Sequence, residues 1–270
     1  MTTFPSHHAR SVLTLRLRSA GCVFAEEEAA LLLAEAGSPA ELERMVEQRI
    51  AGSPLEQVLG WAGFRGLRIA VDPGVFIPRR RTEYLVELGA RFAQPGSAVV
   101  DLCCGTGAVG AALAAEVPGI ELHAADIDPA AVRCARRNIE TVGGLVHEGD
   151  LYAALPPSLR ARVDLLLVNA PYVPSTDIAT MPQEARLHEP MTALDGGPDG
   201  LAVQRRTVAE APLWLAPGGR LLIETSARQG PRTAALFEAA GLRAEVLRSE
   251  ERDATVVLGF RPESTRKDHN

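Results

Sequence analysis

The chain has 270 residues, a formal net charge of −6 at pH 7 and a sequence pI near 5.6. Its length predicts a main domain of roughly 180 to 200 residues with a smaller accessory domain. The acidic average argues against a protein that holds nucleic acid mainly through its overall field, although a local basic patch could persist. Direct nucleic-acid binding is therefore not expected.

The cysteines and the apolar segments bear on the compartment. The four cysteines show no C-x-x-C pair and no partner histidines at zinc spacing, so no metal site is predicted. The N-terminus lacks the cationic and then apolar segments of a secretion signal. No stretch approaches the ~18 uninterrupted apolar residues of a membrane helix. We therefore expect a soluble, cytoplasmic protein.

From about His7 to Leu59, within a predicted domain of residues 1–60, the sequence has helical periodicity, with apolar side chains at spacings of three and four. Two helix starts are marked by serine, proline and then glutamate three residues after the serine, and they place N-caps at Ser38 and Ser53. The pattern predicts a small helical domain. It would serve either in substrate recognition or only in packing.

Residues 61–80 form a predicted linker, in which the glycine-punctuated alternation of 64–71 indicates a hairpin. Residues 81–262 then alternate strand and helix, which predicts an α/β domain with a parallel sheet and a closing hairpin. After a helix that begins near Arg81, the predicted strands are 98–102, 120–125, 144–147, 163–168, 220–225, 242–248 and 254–260, and the intervening helices are 107–116, 129–140, 201–215 and 231–240.

Two segments fall outside this alternation. The stretch 173–200 is rich in proline, aspartate and glycine and is too long for an ordinary connection, so it is either functional or disordered. The polar tail 263–270 is expected to be disordered.

A glycine loop follows the strand 98–102 and comprises Cys103, Cys104, Gly105, Thr106 and Gly107. Its glycines allow close approach of the backbone to a ligand at a helix start. The next strand ends in Asp126, at about the distance along the chain where a carboxylate binds a ribose. Because Gly110 completes a G-x-G-x-x-G spacing, both a dinucleotide and S-adenosylmethionine remain possible ligands.

An acidic turn follows the third strand, with Asp150 and Leu151 at its centre. The carboxylate of Asp150 could accept the exocyclic amine of adenine, and Leu151 could cover the ring. Alternatively, Asp150 is the N-cap of the next helix.

The strand 163–168 ends in Asn169, Ala170, Pro171 and Tyr172. This tetrapeptide resembles the Asn-Pro-Pro-Tyr signature of S-adenosylmethionine-dependent methyltransferases that act on planar nitrogens. The resemblance implies that the Asn169 side-chain oxygen and the Ala170 carbonyl accept the two hydrogens of an amide or aryl amine. Pro171 would stiffen the loop and Tyr172 would present a flat face to the substrate. Otherwise the tetrapeptide is only a strand-ending turn.

The resemblance extends to the segments 54–60, 64–67, 75–79, 82–87 and 189–194, which are similar to the bacterial protein-(glutamine-N5) methyltransferases that modify release factors and, in a sister branch, a ribosomal protein. It implies a Rossmann-like class I methyltransferase domain behind an N-terminal helical domain that helps hold the protein substrate. S-adenosyl-L-methionine would be bound by residues 103–107, Asp126, Asp150, Leu151 and Asn169. The implied partner is a release factor, whose modified glutamine lies in a Gly-Gly-Gln tip.

The sequence departs from the family pattern in three places. Ala170 replaces a proline, which keeps the carbonyl but loosens the loop. Cys103 and Cys104 stand where glycine and a small residue are usual, and Arg80 and Arg81 replace proline and glutamate. These departures keep three alternatives open: an N6-adenine nucleic-acid methyltransferase, a small-molecule amide methyltransferase, and a donor-binding protein without catalysis.

Other residues of the sequence allow two readings each. The adjacent Cys103 and Cys104 form either a redox pair or two small buried side chains. His188 is either a general base or part of the loop structure. The basic run 79–81 is either a contact for RNA or an acidic surface, or a solvated helix start.

Overall fold

A computed structural model of the chain describes residues 7–262, so the tail predicted at 263–270 lies outside the described residues. Four helices open this range: α1 (His7–Ser19), α2 (Ala25–Glu35), α3 (Pro39–Ile50) and α4 (Leu55–Leu59). They bury their own apolar cluster around Leu17, Leu32 and Met45. Over the described part of this region, residues 7–60, the helical periodicity therefore corresponds to packed helices.

The two predicted N-caps of this region have different outcomes. Ser38 caps α3, since its hydroxyl accepts the N–H of Glu41 at 3.2 Å. The prediction for Ser53 is wrong, because α4 starts behind Pro54 without a side-chain cap. Ser53 instead closes the end of α3, where its N–H bonds the carbonyl of Gln48 at 3.1 Å.

A two-stranded hairpin joins the helices to the main domain. Strand β1 (Trp61–Phe64) pairs antiparallel with β2 (Leu67–Ala70). Arg65 and Gly66 form the turn with φ of 46° and 78°, which is the conformation that suits a two-residue hairpin loop. The predicted hairpin is therefore present.

The main domain alternates strands and helices as the sequence indicates. In chain order the elements are α5 (Glu83–Ala90), β3 (Ala98–Leu102), α6 (Ala108–Glu116), β4 (Glu121–Asp126), α7 (Pro129–Ile139), β5 (Leu145–Glu148), β6 (Val163–Val168), α8 (Gln183–His188), α9 (Met191–Leu194), α10 (Ala202–Trp214), β7 (Leu215–Thr225), α11 (Gly230–Ala239), β8 (Arg243–Ser249) and β9 (Ala254–Phe260).

The seven main strands form one sheet in the order β5-β4-β3-β6-β7-β9-β8. The first five strands of this order run parallel, and β9 runs antiparallel to both β7 and β8. The mixed sheet of the predicted fold class is thus confirmed. Strand β7 is longer than predicted because it continues back through the Pro217 turn to Leu215, where it pairs with Val163 across a register shift.

Both faces of the sheet are covered by helices. On β6, Leu165 and Leu167 pack in the cluster with α5, α6 and α7, whereas Leu166 and Val168 pack in the cluster with α10 and α11. This alternation with a period of two explains why the strand is apolar at nearly every position. Burial on both faces leaves the carboxyl edge of the parallel strands as the place where polar groups can meet.

None of the helices within residues 7–262 combines the length and the apolar character that a membrane crossing requires.

Candidate active site

A cavity of about 360 Å³ opens at the carboxyl ends of β3, β4 and β6, in the size range of small-ligand sites, roughly 300 to 1,000 Å³. It brings together all of the predicted site residues except Gly107. These lining residues are Cys103, Cys104, Gly105, Thr106, Asp126, Asp150, Leu151, Asn169, Ala170, Pro171 and Tyr172. Residues separated by up to seventy positions thus share one site.

Gly107 does not line the cavity but packs against α7. Its φ is +75°, and a Cβ there would lie 2.7 Å from Cγ1 of Ile139 on α7. The glycine therefore lets the loop lie against α7 at a distance that no side chain would allow. Cys103 also has a left-handed φ of 57°, an uncommon conformation for a residue with a Cβ.

Two carboxylates occupy backbone donors of the glycine loop and of the first turn of α6. Asp126 accepts the N–H of Gly105 at 2.8 Å, and Asp101 accepts the N–H of Gly110 at 2.9 Å. Burial raises the pKa of Asp101 to about 7, and it also raises the pKa of Asp126. A pyrophosphate would need these donors and would meet acidic groups instead. The loop therefore favours a donor without phosphate over a dinucleotide.

The Asp126 carboxylate is also held in a fixed orientation. Its second oxygen accepts the N–H of Asp128 at 2.9 Å. A carboxylate oxygen can accept more than one hydrogen bond, so acceptor capacity remains for hydroxyl groups in the cavity. This arrangement fits a ribose.

Asp150 stands at the start of a short 3₁₀ turn, Leu151–Ala154, but its side chain caps nothing. Its carboxylate instead pairs with Arg206 at 2.5 Å, and both side chains line the cavity. Leu151 is buried beside them with a left-handed φ of 48°. Of the two sequence readings of Asp150, the side-chain cap is absent, and a carboxylate next to an apolar surface suits an amino-substituted ring.

The Asn169 loop presents two oxygen acceptors. The Asn169 side-chain nitrogen donates to the hydroxyl of Thr82 at 3.4 Å, which assigns the amide oxygen to the other direction. No donor within residues 7–262 bonds that oxygen or the carbonyl of Ala170. Both groups belong to residues that line the cavity. They are therefore available to a ligand with two N–H groups.

The segment 173–200 is ordered, and both this segment and Gln229 contact the Asn169 loop. Gln229 donates to the carbonyl of Tyr172 at 2.9 Å, and Gly196 lies so close to Pro171 that a Cβ would be 2.8 Å from the Pro171 carbonyl. The N–H of Gly196 also bonds the carbonyl of Val173. These contacts hold the loop at the position where Ala170 removes a proline.

Two residues near the Asn169 loop were not singled out by the sequence analysis, Thr82 and Glu224, and Arg81 was singled out only within the basic run 79–81. Glu224 is only 2% exposed, and neither of its carboxylate oxygens has a hydrogen-bond partner within the described chain. Burial raises its pKa, and Arg81 lies nearby with Nε 3.5 Å from Oε1. A signal existed, because Glu224 follows the apolar run 221–223 as Asp126 follows its own strand.

Tyr172 lies in the same cluster of side chains as Arg81 and Glu224. Burial raises the pKa of its phenol to about 12, with a further contribution from the charge of Glu224. The phenol therefore stays protonated at neutral pH and cannot serve as a base.

The remaining candidates are not placed for chemistry. Burial raises the pKa of the Cys103 and Cys104 thiols, so neither is an activated thiolate. His188 lies outside the cavity lining, which removes the general-base reading. Arg79 pairs with the buried carboxylate of Glu189 at 2.6 Å. Over residues 7–262, no cluster of three or more histidine, cysteine, aspartate or glutamate side chains could hold a metal ion.

Comparison with known proteins places this site in a family. Residues 67–198 match the family described as Methyltransferase small domain. The release factor glutamine methyltransferase of Gloeobacter violaceus is 42% identical over 190 residues, which cover 68% of this chain and 65% of that protein. The enzyme of the same name from Bifidobacterium longum is 35% identical over 260 residues, 89% of this chain and 87% of that protein.

A third relative has a different name. The 4-amino-L-phenylalanine/4-methylamino-L-phenylalanine methyltransferase of Streptomyces pristinaespiralis is 36% identical over 210 residues, 75% of this chain and 71% of that protein.

Solved structures share the fold. A methyltransferase from Pyrococcus furiosus superposes with a TM-score of 0.56 at 16% identity, covering 73% of this chain and 90% of that one. The Thermus thermophilus 16S rRNA N2 G1207 methyltransferase, solved with AdoMet and guanosine, gives a TM-score of 0.54 at 22% identity, with 74% of this chain and 49% of that one covered.

The fold and the cavity define a class I methyltransferase, an α/β enzyme of the S-adenosylmethionine-dependent type. Within that class, the chain belongs to the release factor glutamine methyltransferase family. The family expected from the Asn169–Tyr172 signature is thereby confirmed.

Proposed function

We propose that this enzyme transfers the methyl group of S-adenosyl-L-methionine to the side-chain amide nitrogen of a glutamine in a peptide chain release factor, in the cytoplasm. One observation carries the proposal. The Asn169 side-chain oxygen and the Ala170 carbonyl are two neighbouring acceptors that line the cavity and bond no group of the described chain. A primary amide has two N–H groups that such a pair can bind.

The chemistry explains why two acceptors are useful. An amide nitrogen is a weak nucleophile because its lone pair is delocalised into the carbonyl group. Binding both N–H groups fixes the plane of the amide and directs the lone-pair face away from the Asn169 loop, which favours a reactive geometry. The same oxygens stabilise the positive charge that develops on the nitrogen.

Tyr172 assists without titrating. With a pKa of about 12, its phenol stays neutral, and its ring offers an apolar face to the acceptor. The proton on the nitrogen becomes strongly acidic once the methyl group is attached, so it leaves to water without a dedicated base.

The other half of the cavity suits the donor, which supplies an electrophilic methyl group when it is bound. Asp126, held by two backbone N–H groups, would accept the ribose hydroxyls. Asp150 would accept the adenine amine, and Leu151 would cover the ring. Residues 103–107 would shape the methionine end, and Asn169 joins the donor and acceptor halves.

A free amino acid that carries an aryl amine is a second candidate acceptor. Its aryl nitrogen is also planar and also carries two N–H groups, so the same pair of oxygens could bind it. The similarity to the aminophenylalanine methyltransferase favours this candidate. An exocyclic adenine amine has the same geometry, but the acidic chain counts against a nucleic-acid substrate.

The test is transfer of labelled methyl from S-adenosylmethionine into a lysate that lacks this enzyme, followed by separate digestion with protease and nuclease. We expect protease-sensitive label in a band of release-factor size, and none with Asn169→Ala. Donor affinity of the variant, measured by calorimetry, should remain within a few fold of the wild type.

The other outcomes discriminate the alternatives. Nuclease-sensitive label would assign the enzyme to the adenine class. Label only in small molecules would favour an amino acid acceptor, and no label with intact donor binding would indicate a non-catalytic protein. Loss of donor affinity in Asn169→Ala would show that the role given to Asn169 is wrong.

A further inference from the structure

Arg81 places a cation next to the acceptor oxygens. It precedes Thr82, whose hydroxyl accepts the Asn169 side-chain nitrogen, and it lines the cavity together with Asn169 and Tyr172. Its side chain is 44% exposed. A guanidinium in this position can reach both the cavity and the carboxylate behind it.

Glu224 is the carboxylate behind Arg81. It is the penultimate residue of β7 and lies beside the Asn169 loop, since Ile223 pairs with Val168 in the sheet. A buried carboxylate without hydrogen bonds is unfavourable unless a cation is close. The nearest cation is Arg81, with Nε 3.5 Å from Oε1 of Glu224. Glu224 therefore holds the guanidinium on the acceptor side of the cavity.

The pairing leaves most of the guanidinium unused. No hydrogen bond of ordinary geometry engages Arg81 within residues 7–262. Burial opposes the charge of Arg81 and the nearby Glu224 carboxylate favours it, and the guanidinium is charged at neutral pH. Several N–H donors thus remain for a ligand.

The neighbouring arginines differ in this respect. Arg79 lines the cavity too, but one of its terminal nitrogens is 2.6 Å from both carboxylate oxygens of Glu189. Arg80 is exposed and lies outside the cavity lining. Of these three arginines, only Arg81 combines a place in the cavity with unused donors.

We propose that Arg81 is a specificity-determining residue, which binds an oxygen acceptor of the substrate on the acceptor side of the cavity, and that Glu224 is its positioning residue. The inference rests on the proposed function and names the second group that the substrate must carry. In a peptide this oxygen is a main-chain carbonyl near the glutamine. In a free amino acid it is the α-carboxylate, which a guanidinium binds through two parallel hydrogen bonds.

The first experiment compares Arg81→Gln, Arg81→Lys and the control Arg80→Gln. We expect Arg81→Gln to raise KM for the substrate about tenfold, with kcat and donor affinity nearly unchanged, because the loss of one charge-assisted hydrogen bond weakens binding by roughly tenfold or more. Arg81→Lys keeps the charge and should give a smaller rise. Arg80→Gln should behave as the wild type. Equal KM values for Arg81→Gln and Arg80→Gln would overturn the inference.

Glu224→Gln tests the positioning role. It should raise KM as well, and the double variant Glu224→Gln/Arg81→Gln should be no worse than Arg81→Gln alone, because both changes remove one interaction. Additive losses would mean that Glu224 acts independently of Arg81. Unfolding midpoints of all variants in urea show whether the comparison concerns folded protein.

Two acceptors identify the source of the oxygen. Each variant is assayed with a release factor and with a free amino acid that bears an aryl amine. If Arg81→Gln raises KM more for the release factor, the oxygen bound by Arg81 is a main-chain carbonyl. If it raises KM more for the amino acid, the bound group is the α-carboxylate. If the wild type methylates neither, the proposed function fails. If it methylates either one and Arg81→Gln has no effect, only the inference fails.

Discussion

The side-chain nitrogen of Asn169 donates to the hydroxyl of Thr82, 87 positions earlier in the chain, at 3.4 Å. This bond decides which end of the amide faces the substrate. If the nitrogen turned into the cavity, it would oppose the N–H groups of an incoming amide instead of accepting from them. Thr82 is itself buried, so its hydroxyl has a fixed position.

We therefore predict that Thr82→Val lowers kcat about three- to tenfold, since a neutral hydrogen bond contributes ~1 kcal/mol. Thr82→Ser keeps the hydroxyl and should retain most of the activity. Steady-state kinetics with saturating donor checks both variants. Equal activity of Thr82→Val and the wild type would show that Asn169 is oriented by something else.

Alanine substitutions at the two glycines of the glycine loop should have different effects. Gly107→Ala should lower the free energy of unfolding by about 2 kcal/mol, because its Cβ would meet Ile139 and its φ is +75°. A Cβ at Gly105 would meet no atom within 4 Å, and Gly105 lines the cavity, so Gly105→Ala should weaken donor binding more than it lowers stability. Urea unfolding and donor calorimetry separate the two effects. Similar profiles for both variants would contradict this division.

The stability of the fold should carry a pH dependence from Asp101. Its pKa is raised by burial from 3.8 to about 7, so between these values the unfolded chain releases a proton that the folded chain keeps. The contribution of this group is complete below pH 4 and is lost as the pH rises through 7. Asp101→Asn does not titrate and can still accept the N–H of Gly110.

We therefore expect the difference in unfolding free energy, variant minus wild type, to increase from pH 4 to pH 8, by at most about 4 kcal/mol. Urea denaturation at several pH values measures it. A difference that is constant with pH would mean that Asp101 is ionised throughout.

Gly200 should be required for activity through the Asn169 loop. It has a φ of +73°, and a Cβ there would overlap the carbonyl of Tyr172 and the side chain of Gln229. Gly200→Ala should displace that loop and reduce kcat by about 100-fold or more, as expected when reacting groups move by ~1 Å. Gly143→Ala is the matched control, because Gly143 has a φ of +79° with no atom within 4 Å. It should lose only ~1 kcal/mol of stability and keep its kcat.

The sequence by itself determined those features whose cause is local. The apolar run 163–168 and the turn after it predict a strand that ends in polar groups, and the same pattern places Asp126 at the next edge. Parallel pairing then brings these edges together, because β3 lies between β4 and β6. The Arg65-Gly66 turn is also local, since only two residues set its geometry.

Only the tertiary structure decided the features that depend on contacts between distant segments. The sequence does not show that Thr82 orients Asn169, or that Glu224 lies behind Arg81, because these contacts arise from the packing of the turn before α5 and of β7 around the end of β6. The prediction of an N-cap at Ser53 was wrong for a related reason: the N–H of Ser53 bonds the carbonyl of Gln48 at the end of α3. Side-chain partners across the sheet edge follow from the register and packing of several strands at once, and no local pattern encodes them.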